Sequence, residues 1–135
     1  MTTEATASWF PRALGVVALL LAASVVLDLL LVPRERSEQV FFGIMLTGTT
    51  AWMATPIHLV VFLWAAWGCF RRKALMPYVA MGYCVYLIVS LWVWTVLYGA
   101  RPQGGPAATI LTVLVSVILL ALCRVIYTRR TAFDQ

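Results

Sequence analysis

Two ionisable side chains, Asp28 and His58, stand within long apolar stretches of this 135-residue chain. A carboxyl group and an imidazole can divide the work of a general acid and a general base, provided they lie within about one hydrogen bond of each other or of a substrate. A charge inside a bilayer is expensive, so its position is informative. Counting along the apolar runs puts both residues at overlapping depths in the same half of a membrane.

Uncharged polar side chains gather at that depth too. Thr109, Thr112 and Ser116 follow an i, i+3, i+7 spacing that places them on one face of a helix. Tyr83, Tyr86, Ser90 and Trp94 form a second such face, and Thr55 adjoins Pro56 and His58. The candidate ligand-binding set is therefore Asp28, Thr55, His58, Tyr86, Ser90, Trp94, Thr109, Thr112 and Ser116. In this reading Asp28 is the acid or proton carrier and His58 its partner. Trp94 and Tyr86 form walls, and the hydroxyls supply hydrogen bonds to an amphipathic ligand entering from the membrane. Each residue also has a plainer role. Ser and Thr in membrane helices bond their own backbone or a neighbouring helix, Tyr packs with its hydroxyl satisfied, and Trp anchors at the interface.

No metal or cofactor site is expected. Cys69, Cys84 and Cys123 form no CxxC and no Cys/His cluster, and they read as small apolar packing residues. A net charge of +5 comes from Lys and Arg in short loops and at helix ends. That distribution suits headgroups and topology, not nucleic acid.

The elements that position these residues follow from composition. The chain is 63% hydrophobic and 11% charged, with a mean hydropathy of +0.93. A soluble domain carries roughly a quarter charged residues. Four apolar stretches, about 13–32, 51–70, 77–99 and 107–127, each approach the ~20 residues that cross ~30 Å of hydrocarbon. The first runs past the weakly cleavage-like Ala22-Ala23-Ser24, too far for a typical signal peptide. Pro33-Arg34-Glu35-Arg36, Arg71-Arg72-Lys73, the stretch from Arg101 to Pro106, and Arg129-Arg130 end the four. The fold class expected is an all-α membrane protein, a four-transmembrane-helix bundle forming a single domain over 1–135.

Residues 39–70 carry almost no charge and, at ~1.5 Å each, would make about 48 Å of helix, too long for one crossing. The reading divides them. A short interfacial segment, Glu38 to Leu46, precedes the second helix, with Phe41 and Phe42 in the acyl region. Thr47-Gly48-Thr49-Thr50 turns the chain and a Thr caps the helix.

With both termini in the cytoplasm, that side holds Arg12, Arg71, Arg72, Lys73, Arg124, Arg129 and Arg130, against Arg34, Arg36 and Arg101 on the other. The imbalance favours cytoplasmic N- and C-termini. Arg dominates Lys and Asn is absent, a composition expected of a GC-rich bacterial genome and hence of an inner membrane protein. The polar depth would then be the outer half.

Three functions compete. The first is a non-enzymatic membrane protein that binds a lipophilic small molecule or serves as accessory subunit of a larger membrane complex. The second is an oligomeric, proton-coupled transporter of small solutes. Four-helix transporters of about this length exist, but Asp28 lies near the end of its helix instead of deep within it. The third is an isomerase-like membrane enzyme using Asp28 and His58. Expected partners are membrane lipid, a lipophilic ligand, and copies of the chain or a larger complex.

Overall fold

A computed structural model describes residues 3–98 and 105–133. Four helices dominate it: α1 (Thr3–Leu31), α2 (Gly48–Phe70), α3 (Met76–Tyr98) and α4 (Gly105–Thr128). All four are long and apolar enough to cross a membrane, by length and composition. The chain is on that ground a multi-pass membrane protein. The expected break between the third and fourth helices falls largely on 99–104, outside the described residues.

The first pair of helices packs through small side chains. Pro11, Gly15, Ala18, Ala22 and Val25 are the buried residues of the middle of α1, spaced four and three apart as a helix seam requires. On α2 the matching seam is Ala51, Thr55, Phe62, Ala66 and Cys69. Small residues let two helices approach closely where lipid offers no hydrophobic drive between them. A hydroxyl in such a seam must find a partner, and Thr55 Oγ1 donates to Ala51 O at 2.9 Å.

A second pair, α3 and α4, is joined by hydroxyls. Thr95 Oγ1 donates to Leu91 O at 2.8 Å and lies 2.7 Å from Thr112 Oγ1. Thr95 has one proton, so Thr112 must donate to it. Ser116 Oγ donates at 2.7 Å to the backbone carbonyl of Thr112, one turn back on its own helix.

The two pairs meet less closely than the helices within each pair. At one end the gap is closed by Phe10, Cys69, Met76, Ile126 and Phe133. Phe133 belongs to a final 3-10 turn, Arg130–Phe133. Its ring stands edge-on to Phe10, centroids 6.4 Å apart. The N-terminal helix and the C-terminal turn thus share one end of the bundle.

The opposite end corrects the expected interfacial segment. Glu38–Phe41 (β1) and Ile44–Thr47 (β2) pair antiparallel, with Glu38 facing Thr47 and Phe41 facing Ile44. This departs from an all-α chain by one hairpin. Phe42 and Gly43 both have positive φ, 51° and 79°, as a two-residue hairpin turn demands. A strand pair satisfies backbone groups that a lone interfacial segment would leave open. Two further amides are met by phenols of α3: Phe42 N donates to Tyr86 Oη and Met45 N to Tyr98 Oη, each at 3.4 Å. Gly48 N closes the base of the hairpin on Ser37 O at 2.8 Å. Thr47 does stand at the N-cap of α2, but its side chain makes no capping bond.

Candidate functional site

The hairpin does not lie flat over the bundle; its tip is wedged against α2 and α3. A Cβ at Gly43 would come within 2.5 Å of Val93 Cβ and 2.6 Å of Ser90 O, so the turn passes α3 at a distance only glycine permits. Phe41 then reaches His58 on α2, ring centroids 5.4 Å apart, and Phe42 reaches Tyr86 on α3 at 4.9 Å.

These contacts belong to a closed circuit. Phe41 meets His58, His58 meets Phe62, Phe62 meets Tyr83, Tyr83 meets Tyr86, Tyr86 meets Phe42, and Phe42 returns to Phe41. Centroid separations run from 4.9 to 6.2 Å, within the range of aromatic pairing. One end of the gap between the helix pairs is therefore framed by rings from three elements.

Beside this frame is a cavity of about 500 Å³, in the size range of small-molecule sites. Helix α1 contributes Val25 and Asp28, one turn apart on the same face. Gln39 and Val40 come from β1, His58 and Phe62 from α2, and Tyr83, Tyr86, Ser90 and Trp94 from α3. The wall runs from exposed Asp28 to buried Ser90. Nδ1 of His58 is buried and has no hydrogen-bond partner among the described residues. Buried polar atoms are nearly always paired, so this nitrogen is an exception on the α2 side of the site.

Five of the nine candidate residues, Asp28, His58, Tyr86, Ser90 and Trp94, line this one cavity. The other four are elsewhere. Thr55 is held in the α1–α2 seam. Thr112 bonds Thr95 across the α3–α4 interface, Ser116 donates to Thr112 O of its own helix, and Thr109 is exposed on α4. No residue of α4 reaches the cavity wall, so the polar site draws on three helices and the hairpin. Gln39 and Tyr83 are the polar wall residues outside the expected set. Tyr83 was on the same helical face as Tyr86 and Ser90. Gln39 needed the hairpin, whose signal was the Phe-Gly step between two apolar runs.

A second cavity of about 190 Å³ lies further into the bundle, among Leu14, Ala18, Val61, Leu119, Leu122 and other apolar residues of all four helices. Phe62, Tyr83 and Leu87 belong to both walls. They stand between the chamber that carries Asp28 and His58 and a more apolar one.

Cation placement matters for Asp28. Arg34, the basic residue nearest to it in sequence, lies over the ring of Trp52, its guanidinium carbon 4.4 Å from the centroid. Among the described residues no Lys or Arg lines the cavity. The described Cys, His, Asp and Glu side chains form no group that could hold a metal ion. Compared with known proteins, the chain matches no family model, no curated protein and no solved structure.

Proposed function

We propose that this chain is a non-enzymatic membrane protein that binds a lipophilic small molecule in the cavity between α1, α2, α3 and the hairpin. The observation that carries the reading is the cavity itself. It offers about 500 Å³, a mostly apolar and aromatic wall, and a few polar groups in Asp28, His58, Ser90 and Gln39. Sites for small ligands have this constitution: apolar bulk for affinity and sparse polar groups for orientation. The site residues proposed are Asp28, His58, Tyr86, Ser90 and Trp94.

The membrane proposed is a bacterial inner membrane, with both termini cytoplasmic and the hairpin facing outward. The excess of Lys and Arg at the end that bears the termini supports it. Single cysteines at the exposed positions Glu35 and Thr131, in a chain freed of Cys69, Cys84 and Cys123, test it with an impermeant thiol reagent. Labelling of position 35 and not 131 in intact cells is expected; the reverse would invert the topology.

The binding reading is tested by purifying the chain from native membranes and extracting it for mass spectrometry. A lipophilic molecule retained near one per chain is expected, and filling the cavity with Ser90→Leu should expel it. A cavity-filled variant that retains the same molecule would refute the reading.

An acid–base enzyme is the second reading, because Asp28 and His58 line the same cavity. Catalysis requires both groups to address the same substrate atoms. Release of an unaltered ligand separates binding from turnover.

A further inference from the structure

We infer that the ligand is a cationic amphiphile: an apolar chain carrying a quaternary or protonated amine, whose charge is met by Asp28 and whose chain runs past Phe62 and Tyr83 into the second cavity. The inference rests on the binding reading above and names its ligand class.

Charge comes first. Among the described residues Asp28 is the one carboxyl on the wall, and no Lys or Arg accompanies it. A carboxylate at the edge of a hydrocarbon layer needs a counter-charge or water. The nearest basic residue in sequence, Arg34, is held over Trp52 instead. The wall therefore supplies the negative charge of an ion pair, and Arg34 is kept away from it. An anionic headgroup would be repelled at this site.

The wall fits the same class. Tyr83, Tyr86 and Trp94 bring aromatic rings to the cavity, and aromatic side chains attract ammonium groups, most strongly where water is scarce.

The apolar chain has a place to go. Phe62 and Tyr83 stand edge-to-face, centroids 5.4 Å apart, and face both chambers. A ligand with a charged head and an alkyl tail matches a chamber of about 500 Å³ that carries Asp28 and shares Phe62, Tyr83 and Leu87 with a more apolar one of about 190 Å³.

Three radiolabelled ten-carbon amphiphiles distinguish the possibilities: decyltrimethylammonium, decanol and decyl sulfate. Binding is measured by equilibrium dialysis against the full chain in phosphatidylcholine nanodiscs, with empty nanodiscs subtracted. The cation should bind saturably, roughly tenfold or more tighter than decanol, with decyl sulfate weakest. Asp28→Asn should remove that preference, bringing the cation down to the level of decanol, and an unchanged far-ultraviolet circular dichroism spectrum shows that the variant is folded. Equal binding of cation and decanol would overturn this inference while leaving the binding reading intact. Saturable binding of none of the three would end both. A wild-type experiment stands beside the variant: decyltrimethylammonium, but not decanol, should block modification of Asp28 by dicyclohexylcarbodiimide, read by peptide mass spectrometry. Unblocked modification would overturn the inference whatever the behaviour of Asp28→Asn.

Discussion

Phe41 and His58 meet edge to face, their ring planes at 77° and centroids 5.4 Å apart. One belongs to a hairpin strand and the other to the middle of a membrane-length helix. Phe41→Ala removes this link and part of the aromatic circuit. For a half-buried Phe the loss should be about 2 kcal/mol, below the ~3–5 of a fully buried one. It should appear as faster amide hydrogen exchange over 38–47, with the helices unchanged.

Two glycines with positive φ predict unequal costs. Gly48 has open space around a would-be Cβ, so Gly48→Ala should cost only the backbone term, about 1–2 kcal/mol. Gly43→Ala adds a collision with Val93 and the Ser90 carbonyl. Its melting temperature in detergent should fall clearly further. Equal losses would mean that the hairpin tip is not seated on α3.

The hydroxyl pair between α3 and α4 predicts a measurable coupling. Thr95→Val and Thr112→Val should each destabilise, and together by less than their sum. A double-mutant cycle should return a coupling of about 0.6 kcal/mol, the ordinary worth of a hydrogen bond between membrane helices.

The partition between the chambers predicts a ligand-length effect. Phe62 is 7% exposed, so Phe62→Ala should destabilise by roughly 3–5 kcal/mol through the cavity it opens. Decyltrimethylammonium should restore more of the lost melting temperature than hexyltrimethylammonium, because only the longer chain fills the merged space.

The four helices were legible because the ~20-residue length of an apolar run is a strong constraint. Expected starts and ends agree within about three residues for α2, α3 and α4. The exception is the start of α1, which precedes its apolar run; nothing polar before Trp9 is a helix breaker. The hairpin was not read, since β1 and β2 are only four residues each and the apolar run of β2 leads straight into α2. The depth of Asp28, His58 and Ser90 was legible from counting residues. Rotational position was less so. Thr112 and Ser116 share a depth with Ser90, but Thr112 bonds Thr95 at the α3–α4 seam and Ser116 bonds the backbone of its own helix. No spacing rule on α4 alone distinguishes that seam from a cavity wall.

The hairpin precedes in sequence both helices on which it rests. Its amide partners Tyr86 and Tyr98 lie 44 and 53 residues further along, and its glycine seat at Ser90 and Val93 is on the same late helix. During synthesis this segment has left the ribosome well before α3 exists. The wall of the cavity is thus completed only when α3 enters the membrane, so a chain arrested after α2 would hold Asp28 and His58 without enclosing anything between them.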